Sequence, residues 1–129
     1  KTYNNVIEIF EEVEDIKKKV MRIVTDSTPV DGPKDPDKCN LFALYRLVAM
    51  EKDFKHVESL YRNGGLSYKD MKSWLIDGIA HYFYPYRNKR KEIAKNRDYV
   101  FEVLQKGAER ARSIASQTLK EVRQKIGID

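Results

Sequence analysis

Leu41–Met50 reads LFALYRLVAM, ten residues that carry one charge, Arg46. So dense an apolar run predicts a helix from Asn40 that is buried on most sides. What precedes it sets its start. Ser27–Asp37, STPVDGPKDPD, holds three of the four prolines and a glycine. Pro29, Pro33 and Pro36 forbid a continuous helix there, so this stretch is a loop, too short to link domains.

The same helical period appears on either side. Val13, Ile16, Val20, Ile23 and Val24 form a stripe over 13–25, with Lys17, Lys18, Lys19 and Arg22 between them. Downstream, Asp53 can cap a short helix with Phe54, Val57, Leu60 and Tyr61 on its apolar face. Asn63-Gly64-Gly65 stops it. Ser67-Tyr68-Lys69-Asp70 resembles a capping box, with Asp in place of Glu. Met71, Leu75, Ile79 and Phe83 follow at four-residue spacing, and Pro85 should kink or end that helix. A last segment, 99–125, carries Val100, Val103, Leu104, Ala111, Ile114, Ala115, Leu119 and Val122 as its expected buried stripe. Gly107 inside it costs about 1 kcal/mol relative to Ala unless it permits close packing. Strand-like alternation is confined to Val6–Phe10. The fold class read from these patterns is all-α, a helical bundle.

Composition narrows the function. The 129 residues suit one domain with a core. Charged residues make up 35% of the chain, and no apolar run is long enough to span a membrane. Cys39 is the sole cysteine, which excludes a disulfide frame or a cysteine metal cluster and points to a reducing cytoplasm. The net charge is +5, and it is unevenly placed: residues 87–125 hold 12 Lys and Arg against 5 Asp and Glu. That asymmetry fits a polyanion partner, and equally a long solvated helix.

No catalytic constellation emerges. His56 and His81 fall on separate helices with no trusted ligand beside them, so no metal site is expected. Gly64-Gly65 reads as a helix stop, not a phosphate loop. The block His81-Tyr82-Phe83-Tyr84-Pro85-Tyr86-Arg87 could stack on unpaired bases. The stronger reading is core Phe83 with tyrosines whose hydroxyls meet water.

Six stretches, in order, carry a resemblance. They are KTYNN (1–5), KKKVMRIVTDSTP (17–29), DPDKCNLFALYRL (35–47), Gly65-Leu66-Ser67-Tyr68, PYRNKRKEI (85–93), and GAERARSIA with VRQKIG (107–115, 122–127). Together they resemble the C-terminal part of bacterial tryptophanyl-tRNA synthetases, class I aminoacyl-tRNA synthetases. In that match Lys1 stands for the second lysine of the Lys-Met-Ser-Lys-Ser signature loop and Thr2 for its closing serine. Residues 1–12 would be the end of that loop and a connection, and 13–129 the helical C-terminal domain. The resemblance implies that a Rossmann catalytic domain is missing, through proteolysis or by design, and that this chain alone is inactive.

The parent enzyme would join L-tryptophan to tRNA(Trp) using ATP with Mg, releasing AMP and pyrophosphate, as a cytoplasmic homodimer. Lys1 is the catalytic candidate, and Lys1 with Thr2 the ATP-binding pair; no cofactor is expected on the fragment itself. Some relatives hold an iron–sulfur cluster on four cysteines, which Cys39 alone cannot supply. The implied partner of the helical part is the anticodon of the tRNA. Lys17, Lys18, Lys19 and Arg22, with Arg87, Lys89, Arg90 and Lys91, would neutralise phosphates. Asp37, Lys38 and Arg46 are the candidate base readers. The competing reading is a basic helical protein-interaction module in which 99–125 packs on a partner. Val6, Ile7, Ile9 and Phe10 are then candidates for an apolar patch left by the missing domain.

Overall fold

Among the described residues five helices follow the apolar periodicity, and no strand forms. The computed structural model describes residues 6–128. Helix α1 is Val13–Met21, α2 Asn40–Arg46, α3 Glu51–Asn63, α4 Tyr68–Lys95 and α5 Arg97–Ile126; a single 3₁₀ turn at Pro36–Lys38 precedes α2. Val6–Phe10 forms no strand. The chain divides into two compact units between Arg87 and Asn88, within α4.

The first unit holds the core. Ile16 and Val20 of α1, Leu41, Phe42 and Tyr45 of α2, Val57 and Tyr61 of α3 and Met71, Leu75, Ile76 and Ile79 of α4 are buried together with Leu66. The α1 stripe is shorter than its sequence pattern. The helix ends at Met21, Ile23 is half-buried, and Val24 is 90% exposed. Lys72 explains the exit: its Nζ donates to the Met21 carbonyl at 3.0 Å and the Ile23 carbonyl at 2.8 Å, satisfying groups that a longer helix would have used. Helix α2 also stops early, and Leu47 and Met50 are exposed.

Caps set the other boundaries. Met50 takes the N-cap position of α3, which moves Asp53 into the first turn, where its charge complements the helix dipole. Gly64 ends α3 with φ +84°, and a Cβ there would lie 2.3 Å from the Asp31 carbonyl oxygen. Both facts demand glycine. The capping box is real in part. Ser67 Oγ accepts from the Asp70 amide at 3.0 Å, and donates to the Asp70 carboxylate at 2.6 Å. Asp70 therefore answers the serine hydroxyl, where a longer Glu would reach its backbone amide.

Pro85 does not end α4. Proline has no N–H for the His81 carbonyl, so one helical bond is missing. The core grip on the first half of the helix outweighs that loss. Arg87, 8% exposed, folds back so that its Nη2 donates to the Ala80 carbonyl.

The second unit comprises the end of α4 and α5. Asn96 caps α5, its side-chain oxygen accepting from the Tyr99 amide at 3.1 Å. None of the α5 residues is buried; Leu104, Ile114, Leu119 and Val122 are exposed. The stripe expected to be buried is present as a stripe and is uncovered.

Candidate nucleic-acid interface

Three segments of the first unit converge on one cleft of about 460 Å³. Val24, Thr25 and Asp26 come from the chain leaving α1. Asp35, Lys38, Cys39 and Asn40 come from the 3₁₀ turn and the start of α2. Tyr68 comes from the first turn of α4. Asp26 is the best-positioned group. Its Oδ1 accepts from the Thr28 amide and from the Tyr68 hydroxyl, each at 2.8 Å. Hydrogen bonds from Thr28, then that from Tyr68, hold the carboxyl below its ordinary value. Burial, and then the bond to Asp26, pushes the Tyr68 phenol up to about 12.

Lys34 braces this wall from behind. It is buried, and its Nζ donates to the carbonyls of Pro29 at 2.8 Å, Gly32 at 3.1 Å and Val30 at 3.3 Å. It also sits 5.4 Å from the centre of the Tyr68 ring. A buried ammonium with three carbonyl partners is satisfied, so the proline-rich loop closes on it. Behind it Tyr61 is fully buried, with its hydroxyl 3.3 Å from Cys39 Sγ. Burial pushes that phenol strongly up.

Of the base-reader candidates, Lys38 lies at the lip of this cleft. Asp35 accepts from the Asp37 amide at 3.0 Å and pairs with Lys38 at 3.2 Å; the Asp37 amide, then Lys38, lower its carboxyl. Asp37 faces Arg62 at 3.5 Å, and Arg62 also pairs with Glu58 at 2.9 Å. The sequence reading missed Arg62, Asp26 and Tyr68 as site residues. The TDSTP and Leu-Ser-Tyr stretches contained the last two, but no local pattern says that residues 42 positions apart will touch. Of the predicted set, Lys38 alone lines this cleft. Arg46 lies exposed with its guanidinium 5.5 Å from the Phe54 ring centre.

The α1 cations are on the surface or paired. Lys17 and Arg22 are exposed, Lys18 pairs with Asp15 at 2.8 Å, and Lys19 with Glu11. Arg87 is turned inward as described. Lys89 and Arg90 are exposed in the second unit, where Lys89 pairs with Glu92 at 3.4 Å and lines a small cleft with Ile93, Asn96 and Tyr99. Tyr82, Tyr84 and Tyr86 are exposed, and the Tyr82 ring packs edge-on to Phe83 at 4.9 Å. Lys1 and Thr2 lie outside the described residues. His56 and His81, unrelated in sequence, line a common groove. No group of three or more His, Cys, Asp or Glu among the described residues could hold a metal.

No family model matches the chain. Individual proteins do. The tryptophan–tRNA ligase of Rhodopirellula baltica is 40% identical over 128 residues, 99% of this chain and 40% of the relative. That of Fusobacterium nucleatum is 37% identical over 130 residues, again 99% of this chain and 39% of the relative. The crystal structure of the Campylobacter jejuni tryptophanyl-tRNA synthetase complexed with ADP and tryptophan superposes with a TM-score of 0.85 at 35% identity, over 98% of this chain and 40% of that one. Over nearly its whole length the chain is similar to tryptophan–tRNA ligases. It spans about 40% of the length of the curated relatives it matches and corresponds to the helical C-terminal part of a tryptophanyl-tRNA synthetase. No helix among the described residues is long and apolar enough to cross a membrane.

Proposed function

We propose that this chain is the tRNA-binding helical part of a cytoplasmic tryptophan–tRNA ligase, and that the Asp26 cleft receives an unpaired anticodon base. The parent reaction joins L-tryptophan to tRNA(Trp) at the expense of ATP, with AMP and pyrophosphate as products. The observation that carries the reading is the preset Asp26 carboxylate. An ionised acceptor, fixed by Thr28 and Tyr68, suits the amino and imino hydrogens of a splayed-out base. The Tyr68 ring offers a planar wall beside it, and Lys38 a cation at the lip. Lys17, Lys18, Arg22, Lys89 and Arg90 supply phosphate contacts in this reading, Arg46 stays a base-reader candidate, and Asp37 holds Arg62. Arg87, being buried, supports α4 instead.

Catalysis belongs to the parent assembly. In this reading residues 1–12 would lead from a Rossmann domain, Lys1 and Thr2 would bind ATP with Mg, and Lys1 would offset charge on the departing pyrophosphate. The parent works as a homodimer, and the 129-residue chain alone forms no adenylate.

Fluorescence-anisotropy titration with tRNA(Trp) and with an anticodon-substituted tRNA tests the cleft. Asp26→Asn should lower discrimination between the two by about tenfold, the order of one lost base contact. Lys38→Ala should weaken both equally and flatten the salt slope by about one unit. Unchanged discrimination in Asp26→Asn would sink the assignment. The uncovered stripe of α5 favours the second reading, a protein-interaction module. No measurable affinity for tRNA, with association through α5 that does not weaken as salt rises, would support that reading.

A further inference from the structure

A groove of about 640 Å³ lies in the first unit between α2, α3 and α4, apart from the Asp26 cleft. Its α4 wall is Trp74, Asp77, Gly78, His81 and Tyr82, the i, i+3, i+4, i+7, i+8 positions of one face. That face runs about 12 Å at the α-helical rise. Opposite it, α3 presents Asp53, His56 and Val57 at i, i+3 and i+4. Val48, Ala49 and Met50 form one end, and the floor is mainly apolar.

Two features decide what fits. The groove continues into exposed apolar surface, because Leu47, Met50 and Tyr82 are all exposed and Trp74 is partly so. A small polar ligand would leave that surface wet. Second, the charged residues lining it are carboxylates: Asp53 on one wall and Asp77 on the other, with no lysine or arginine. In a chain with a net charge of +5 this is a local reversal of sign. Phosphates are repelled by such a rim, so a nucleic-acid backbone is a poor occupant. An apolar ridge flanked by ammonium or guanidinium groups is a good one.

We propose that this groove docks an amphipathic, Lys- or Arg-bearing helix of a partner protein. The helix lays its apolar ridge between Trp74 and Val57 and sets its cations against Asp53 and Asp77. About two turns of such a helix match the α4 face, and the volume is in the range that takes two or three anchoring side chains.

The chain carries its own reporter, since Trp74 is its single tryptophan. The probe is a synthetic helical peptide of about 18 residues, Leu at the ridge positions and Lys elsewhere, titrated against the 129-residue protein while Trp74 emission is followed. A control peptide replaces every Lys with Glu. The expected result is a saturable shift of Trp74 emission by the Lys peptide, at a Kd on the order of 10 µM. The Glu peptide should bind at least about tenfold more weakly, and rising salt should narrow that gap. Asp53→Asn with Asp77→Asn should remove most of the preference; its melting curve verifies that the variant is folded, and Asp77→Asn alone should remove part of it. Equal binding of the two peptides, or a preference untouched in the double variant, would overturn the proposal. So would a single-stranded oligonucleotide that shifts Trp74 emission at lower concentration than the Lys peptide, which would make the groove a nucleic-acid site.

Discussion

Helices α4 and α5 are nearly equal in length, and both carry an apolar stripe at helical spacing. Their fates differ. The first half of α4 buries Met71, Leu75, Ile76 and Ile79 in a shared core, whereas α5 buries nothing. The contrast separates two things that a hydrophobic pattern confounds. Periodicity states which face of a helix needs cover. It does not state whether the same chain provides it. In this protein the stripe of α5 is exposed, while that of α4 is the keel of the first unit.

The sharpest way to break the comparison is to truncate both stripes. Leu75→Ala, at a site with no exposure, should cost about 2–5 kcal/mol in urea unfolding. Leu104→Ala in α5 should change stability by no more than about 0.5 kcal/mol, because its side chain is already in water. A large loss from Leu104→Ala would mean that α5 is covered in solution.

Two glycines offer a second, smaller contrast. Gly64→Ala must place a Cβ against the Asp31 carbonyl at φ +84°, and should destabilise by more than about 1 kcal/mol. Gly107 sits in mid-helix with nothing within 4 Å of an added Cβ, so Gly107→Ala should raise stability by about 0.5–1 kcal/mol. The close-packing role that would have excused Gly107 is therefore absent among the described residues. Thermal melts of the pair decide it: a destabilised Gly107→Ala would reveal a neighbour for α5.

The third test is spectroscopic. Burial, and then the bond to Asp26, pushes the Tyr68 phenol up to about 12. Asp26→Asn should move its ultraviolet titration midpoint downward, yet leave it above the ordinary tyrosine value. An unmoved midpoint would show that the hydrogen bond between them does not persist in solution. The sign for Asp26 is the opposite. Its carboxyl is lowered in the fold, so its contribution is present above the ordinary aspartate range and is lost as acidity carries the pH through the lowered value. At so exposed a site that contribution is minor.

Much of this was legible in the residues themselves. The helices, the proline-rich loop, the glycine stop after α3 and the Ser67 cap follow from local stereochemistry, which acts over a few residues. Six ordered stretches carried the resemblance. Local rules failed where distant groups compensated. Pro85 should interrupt a helix, but four buried side chains upstream and the inward turn of Arg87 outweigh one missing bond. Asp53 has the side chain of a cap, yet Met50 takes the N-cap position without a capping side chain. The Asp26 cleft was invisible for a different reason: its parts come from three segments, and their meeting depends on Lys34 gathering the loop.

Sequence alone determined that this chain is helical, where several of its helices begin, and which proteins it resembles, because those features rest on backbone geometry and side-chain type read locally. Tertiary structure alone decided which stripe is covered, which cation is turned inward and which carboxylate is poised. Those depend on what lies across a gap of a few ångströms, and no spacing along the chain encodes that distance.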